Sequence, residues 1–361
     1  MGEKEKQPYS GIEIGLYTLA DIGPDPHTGK TITAHKRVKE IVEAAKLADE
    51  AGLDVFGIGE HHRLDYAVSA PPVILAAIAQ VTKRIKLTSA TTVLSTVDPV
   101  RLFEDFATLD LVSDGRAEII AGRGAFVESY PLFGYDTKDY DKLFSEHLQL
   151  LLKLNEQEKV NWSGQFRASL SNAEIAPRPI QKELPLWVGV GGTPESAARA
   201  GRLGVGMAIA MLGGDPVRFM PLVDAYRDAG RTSGHTFEEL KLAVTGHGYI
   251  SKTTQQAKDE FYPYYSNYWS YVNCQRGMPF RMTRADFDHM TGPDTALFVG
   301  SPQQIVEKIL RQYELFGHKR FIVQMDIGGV PFHKVAESIE LLASEIAPII
   351  RKETSKISHT D

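Results

Sequence analysis

Cysteine is almost absent from this chain: Cys274 is the only one in 361 residues. An intramolecular disulfide and any cysteine-rich zinc site are therefore excluded, and a lone thiol fits a reducing compartment. Long apolar runs are missing too. Stretches such as 73–79 fall far short of the ~20 apolar residues that a membrane-spanning helix needs. The charged residues 1–10 hold no apolar core of a signal peptide. A basic surplus is also missing. Lys plus Arg number 40 against 46 Asp plus Glu, a net charge of −6, which argues against nucleic acid as a partner. No G-x-G-x-x-G follows the first apolar run, where a dinucleotide fold would place it. No H-E-x-x-H appears, and no repeat of fixed period. These absences predict a cytoplasmic protein with no membrane and no nucleic-acid partner.

What is present is ordinary globular composition, 43% hydrophobic and 24% charged, in a length that suits two average domains or one large barrel. Apolar, strand-like runs cover residues 12–18, 55–59, 85–94, 117–121, 186–190, 205–210, 240–250 and 321–327. Segments of helical period lie between them. Val38, Ile41, Val42, Ala45 and Ala48 make one such face behind a Thr33 cap. Asp98-Pro99 starts another helix, and Ser301-Pro302-Gln303-Gln304 reads as a capping box. Residues 160–183 are irregular and contain proline. Eight strand–helix units predict an α/β fold, a TIM (β/α)8 barrel, with a doubly wound sheet as the alternative. Residues 253–299 are too long for a barrel connection and are read as a helical insertion between the seventh and eighth strands. We expect a single domain over 1–361, with the insertion at about 253–299 and a polar, frayed tail at about 352–361.

Several motifs fall where barrel strands end, the face that carries chemistry in this architecture. Gly59-Glu60-His61-His62 closes the second strand. Neighbouring side chains on a strand point to opposite faces, so one histidine is expected in the pocket and the other is not. A hydrogen-bonded structural histidine is the alternative. Gly189 to Ser196 runs from strand through a glycine turn into a helix. Thr193 is a natural N-cap there, and the free amides at Gly191 and Gly192, with Ser196, suit a phosphate. A capped junction without ligand is the other reading. Gly122-Arg123-Gly124 ends the fourth strand with a fixed positive charge between two small residues, a phosphate partner on one reading and a salt-bridged surface arginine on the other. Ala90-Thr91-Thr92 ends the third; a plain strand end is the favoured reading, a backbone on which a flat ring lies the other. His247 and Gln324 end the seventh and eighth strands and are pocket candidates beside His62. Phe261, Tyr262, Tyr264, Tyr265, Tyr268, Trp269 and Tyr271 crowd the insertion. Packing or a subunit contact is the favoured reading, a substrate wall the other. Asp21 to Lys30 can cover the mouth. No metal site is expected.

Together these segments resemble the bacterial luciferase-like, flavin-dependent monooxygenases, the family of alkanal monooxygenase, from about Ile12 to Ile350. The matching words are Gly59-Glu60-His61-His62, Leu94-Ser95-Thr96-Val97-Asp98-Pro99-Val100-Arg101 with Glu104-Asp105, and Leu109-Asp110 with Ser113, Gly115 and Arg116. Gly122-Arg123-Gly124 with Phe133-Gly134, Pro194-Glu195-Ser196 and Gly300-Ser301-Pro302 follow in order. The resemblance implies a TIM barrel that binds FMN at its C-terminal face, with His61 as the active-site histidine. It places Ala90-Thr91 where some members hold a non-proline cis peptide against the flavin ring, and Arg123, Glu195 and Ser196 around the flavin phosphate. Two departures stand out. Gly122 occupies the position of the luciferase's reactive cysteine, so light emission is not implied. Arg199 replaces a small hydroxyl residue near the phosphate and can add a charged contact.

The activity so implied is an FMN-dependent monooxygenase that oxidises a small-molecule substrate with dioxygen through a flavin C4a-hydroperoxide. Reduced FMN would come from a separate NAD(P)H:flavin reductase, and the chain would form a homodimer or a larger homo-oligomer. F420 is the runner-up cofactor, for an F420-dependent oxidoreductase on the same fold. A non-catalytic flavin-binding protein is the alternative of another class. A metal-dependent hydrolase built on Glu60, His61 and His247 is a fourth.

Overall fold

The computed structural model describes residues 11–124, 126–275 and 281–357, without the side chains at 274, 275, 356 and 357. Residues 1–10, read above as lacking a signal sequence, the Cys274 side chain and residues 358–361 lie outside the described residues. Eight parallel strands form the centre: β1 (Glu13–Thr18), β2 (Val55–Ile58), β3 (Lys86–Ser89), β4 (Ala117–Gly122), β5 (Leu186–Val190), β6 (Gly206–Met211), β7 (Leu242–Ile250) and β8 (Arg320–Gln324). Each pairs with the next, and β8 pairs with β1 through Glu13↔Arg320 to Leu16↔Val323, so the sheet closes. This is the expected TIM-like α/β barrel, and the open doubly wound sheet is set aside.

Helices α1 (Ala34–Glu50), α2 (Pro71–Ala79), α3 (Pro99–Val112), α4 (Tyr140–Glu156), α5 (Pro194–Arg202), α6 (Met220–Thr232), α7 (Pro302–Phe316) and α8 (Phe332–Leu341) surround it. Local chemistry sets their ends. Thr33 Oγ1 accepts from Lys36 N at 3.2 Å, and Asp98 Oδ1 accepts from Val100 N at 2.9 Å with Pro99 in the first turn. Gly317 ends α7 in the left-handed conformation, φ 56°. The expected capping box at Ser301 forms only in half. Ser301 Oγ accepts from Gln304 N, but Ser301 N donates to Thr254 Oγ1 at 3.2 Å, which in turn donates to Gln304 Oε1 at 2.9 Å.

Some sequence readings are corrected. Within 160–183 an antiparallel hairpin pairs Lys159–Trp162 with Leu170–Glu174. The third strand is interrupted: β3 ends at Ser89, the Ala90–Thr91 peptide is cis, and Thr92–Val93 resumes the pairing with β4. The insertion is not wholly helical. Helices Thr254–Gln275 and Arg284–Met290 are followed by a strand, Phe298–Gly300, parallel to the end of β7. At the C-terminus, helix continues to Ile357, past the point where the polar composition predicts fraying. Thr354 is buried there, and its Oγ1 accepts from Ile12 N at 3.1 Å. Among the described residues no helix is long and apolar enough to cross a membrane.

Side chains alternate along each strand, and this period of two builds the barrel interior in layers. Ile14, Leu16, Ile119, Ala121, Phe321 and Val323 face outward into the core shared with the helices. The inward set divides by height. At the N-terminal end Arg320, 1% exposed, donates to Glu118 and to Glu13 Oε2 at 2.7 Å. Lys86 Nζ joins Glu13 at 2.5 Å. The Arg320 guanidinium lies 4.6 Å from the centre of the Trp187 ring. Above this floor Tyr17, Val55, Ile120, Trp187, Ala208, Ala243 and Ile322 form a second apolar cluster. Two residues further along the same strands, Leu19, Gly122, Ala210 and Thr245 line a cavity instead. The barrel is therefore plugged at one end and open to ligand at the other.

Candidate active site

The cavity measures about 420 Å³. Its floor is the top of the apolar plug, where Tyr17, Ile120 and Ala208 belong to both. Ala90, Thr91 and Gly122 form part of one wall. A Cβ added at Gly122 would stand 2.5 Å from Thr91 Oγ1, so only glycine leaves Thr91 in place. Tyr268, Trp269 and Val272 of the insertion helix line another part. The aromatic run of the insertion thus serves two purposes. Phe261 and Tyr265 pack with Tyr249 and Phe287, while Tyr268 and Trp269 reach the cavity.

His61 lines the cavity and is 8% exposed. Its Nδ1 lies 3.4 Å from Glu128 Oε1, and its ring stacks on Tyr66 at 4.0 Å between centroids. His62, in the loop after β2, turns elsewhere: Nε2 meets Glu60 Oε1 at 2.8 Å, and the ring packs against Phe133. Glu60 uses its second oxygen to accept from Val93 N at 3.0 Å, which ties the end of β2 to the resumed third strand. His62 is therefore not a lining residue. His247 does line the cavity, with Nδ1 3.3 Å from Tyr265 Oη. Burial pushes its imidazole down to about 3, against a weaker upward pull from Asp326, so it faces the cavity neutral. Gln324 is fully buried outside the lining and donates to Asp326 Oδ1 at 3.2 Å. It is removed from the pocket candidates.

A polar corner adjoins the cavity where β4 and β5 end. Arg123 Nη1 donates to Asp141 Oδ1 at 2.5 Å and Nη2 to Ser196 Oγ at 2.9 Å. The guanidinium lies over the Tyr140 ring at 5.1 Å. Arg199 approaches the same Asp141 oxygen at 3.9 Å. Burial, then the like charge of Arg123, lowers the Arg199 guanidinium below its ordinary value. Its Nη1 is buried without a partner. Thr193 does not cap α5. Its hydroxyl pairs with Ser196 Oγ at 2.8 Å, and no side chain caps the helix. Gly191 and Gly192 line the cavity, and an added Cβ at either would meet nothing within 4 Å. Two cations gathered on one carboxylate, two hydroxyls and an uncapped helix start make up this corner, and the surplus positive charge and free helix amides suit an anion. Glu195 is exposed at the start of α5 and, like Thr193, Ser196 and Arg199, lies outside the cavity lining.

Sequence reasoning missed Glu128, Asp141, Tyr140 and Phe126. Phe126 and Glu128 follow Gly122-Arg123-Gly124 directly, and that closeness was the available signal. Asp141 carries none, being one acid among 46. A second cavity, of about 500 Å³, lies on the rim among Asp21, Arg37, Asp326 and His333. Its central pair, Arg37 and Asp326, is closed on itself at 2.6 Å. Among the described residues no group of three or more His, Cys, Asp or Glu side chains can hold a metal ion. Glu60, His61 and His247 are not such a group.

Comparison with known proteins follows this geometry. The sequence profile of the Luciferase-like monooxygenase family matches residues 12–319. The oxygenase component of the flavin-dependent trigonelline monooxygenase of Acinetobacter baylyi is 22% identical over 339 residues, 86% of this chain and 89% of that protein. Among solved structures, the monooxygenase RslO1 of Streptomyces bottropensis superposes with a TM-score of 0.82 at 23% identity, covering 94% of this chain and 99% of that one. The FMN-bound oxygenating constituent of 3,6-diketocamphane monooxygenase from Pseudomonas putida gives 0.75 at 21% identity, with 94% and 98% covered. An F420-dependent secondary alcohol dehydrogenase gives 0.70 at 17%, with 94% and 99% covered.

Proposed function

The chain belongs to the luciferase-like monooxygenase family, and on that premise we propose that it is the oxygenase of a two-component, FMN-dependent monooxygenase acting on a small organic molecule. Its relatives include flavin-dependent monooxygenases and F420-dependent oxidoreductases. The observation that carries the proposal is the pair of guanidinium groups, Arg123 and Arg199, gathered on Asp141 beside an apolar cavity.

The residues present fit an FMN phosphate. Arg199 Nη1 is a buried donor with no partner, and the Gly191–Gly192 turn leaves the space that a Cβ would fill. Arg123, Arg199, Ser196, Thr193 and the Gly191 and Gly192 backbone would hold the phosphate. Ala90, Thr91 and Gly122 would meet the ring system. Reduced FMN, delivered by a separate NAD(P)H:flavin reductase, supplies the electrons with which dioxygen is activated.

The rest falls to the chain's own side chains. Tyr17, Leu19, Ile120, Leu212, Trp269 and Val272 exclude water from the reacting region. His61, with Nδ1 turned to Glu128, has Nε2 left to hold or move a proton. His247, neutral by burial, serves as a hydrogen-bonding wall rather than as a charge.

The test is an anaerobic titration of the purified chain with reduced FMN and, in parallel, reduced F420, followed by rapid mixing with oxygen. FMN binding with oxygen-dependent product from a panel of aldehydes, ketones, sulfonates and heterocycles is the expected result. Retention of F420 in place of FMN would move the activity to an F420-dependent oxidoreductase. FMN binding without product from any substrate would leave a flavin-binding protein.

A further inference from the structure

Glu128 stands in the loop after β4, before the one-turn helix Ser129–Leu132. Its Oε1 is 3.4 Å from His61 Nδ1, although 67 positions separate the two in the chain. The geometry points to Glu128 as the positioning residue of the site: it fixes the His61 proton on Nδ1, so that Nε2 is the basic nitrogen offered to the reaction. The inference rests on the proton-handling role of His61 proposed above.

Four features support it. First, the other charged groups nearby are already engaged. Glu60 is held by His62 at 2.8 Å and Arg63 by Asp65 at 2.8 Å, so among the ion pairs of the described residues His61 is the one partner of Glu128. The second oxygen of Glu128, Oε2, is buried with no partner. Second, the imidazole is clamped. Tyr66 stacks on it at 30°, and Phe126 meets it edge-on at 5.3 Å between centroids. Arg63 lies over both of those rings, at 5.6 and 4.6 Å. A flip about the Cβ–Cγ bond would put Cδ2 where Nδ1 stands and lose the contact with Glu128. Third, the carboxylate stays ionised. Burial raises it, but the bonds from His61 and from the backbone amides of Glu128 and His62 outweigh burial and hold it below the ordinary range. Fourth, the chemistry is general. The nitrogen that carries the proton in an imidazole is set by the hydrogen bond the other ring positions make, and an ionised carboxylate can only accept. The 3.4 Å separation is long for such a bond, as catalytic pairs often are before substrate arrives.

The experiment uses the full chain labelled with ¹⁵N-histidine, with His61→Gln to assign the signal. The long-range ¹H–¹⁵N spectrum of the wild type should show His61 protonated on Nδ1. In Glu128→Ala and Glu128→Gln the proton should move to Nε2 while the melting temperature holds. In the same variants kcat should fall about 10- to 100-fold, as for other orienting partners of a functional histidine, with reduced-FMN affinity unchanged. A His61 signal identical in wild type and both variants would overturn the inference, as would a wild-type signal already protonated on Nε2. If the wild type oxidises no substrate, the monooxygenase reading fails. The tautomer shift still decides the role of Glu128.

Discussion

Arg123 and Ser196 stand 73 positions apart in the chain and 2.9 Å apart in space. That one bond joins the end of β4 to the start of α5, at the corner proposed above to take a phosphate. It also explains why Thr193, a good N-cap by type, leaves its helix uncapped. The Thr193 hydroxyl is spent on Ser196, and Ser196 is spent on the arginine.

Replacing Arg123 by Met should weaken reduced-FMN binding by about 10- to 100-fold, the range for losing a hydrogen bond to a charged group. Riboflavin, which has no phosphate, should bind wild type and variant alike. Anaerobic titration with both ligands checks this. Equal losses for the two would show that Arg123 does not meet the phosphate.

His61→Ala should abolish most turnover and leave flavin affinity and the melting temperature close to wild type. His61 touches the cavity and Tyr66 but anchors no strand. Unchanged turnover in this variant would remove its catalytic role.

Gly122→Cys should not restore a luciferase-like thiol in working position. The new Cβ would stand 2.5 Å from Thr91 Oγ1, so Thr91 must shift out of the cavity wall. We expect a loss of stability of about 1–3 kcal/mol and weaker flavin binding, read by thermal melts and titration. Gly122→Ala should lose nearly as much, which separates crowding from thiol chemistry.

Glu118→Gln should destabilise the barrel by about 3–5 kcal/mol, since it leaves Arg320 buried with half its partners. Burial raises the Glu118 carboxyl, but Arg320 and Lys86 outweigh it and hold it at about 2 against an ordinary 4.5. A carboxyl held low in the folded state stabilises fully above its unfolded value. The contribution is withdrawn as pH falls from 4.5 toward 2. Urea unfolding should therefore show a steeper acid loss in wild type than in the variant.

Lys308 supplies a slope of the same sign in a higher pH window. It is 3% exposed, and its Nζ donates to Leu297 O at 2.6 Å and Thr291 O at 3.4 Å. Burial, then Lys258, pushes it down to about 7 from 10.5. The unfolded chain then holds a proton that the folded chain does not, so stability rises with pH between those values, by at most about 1.4 kcal/mol per pH unit. Lys308→Met should remove that slope, measured by urea unfolding from about pH 7 to about pH 9.

Much of this fold was legible because a barrel repeats one local pattern. The period of Val38, Ile41, Ala45 and Ala48 and the turn signals at Gly52 and Gly317 are local, and eight such units suffice to count strands. The hairpin at 159–174 was not legible. Its residues Ser171, Asn172 and Glu174 are exposed and polar, so no apolar alternation marks it. The Glu13–Lys86–Glu118–Arg320 floor was hidden for another reason. Each member is an ordinary charged residue in its own strand, and only closure of the sheet makes them neighbours. The site divides the same way. His61, Arg123 and the glycine turn sit at strand ends and could be named from position. Gln324 satisfied that rule and still is not part of the cavity lining; its amide nitrogen turns to Asp326. Asp141 acts by reaching across from α4, and nothing in its immediate sequence announces it, whereas Glu128 was marked only by its closeness to Gly122-Arg123-Gly124.

The layered filling of the barrel makes the cavity a blind alley. Arg320 and its carboxylates close the bottom, Trp187 and Ile322 fill the middle, and the remaining doorway is the rim. Molecules that meet in such a space must queue. Whichever settles deepest has to enter first and cannot leave until its neighbour has gone. A turnover of the kind proposed above would thus follow a fixed order of arrival and departure, dictated by the stacking of side chains beneath the chemistry as much as by the chemistry itself.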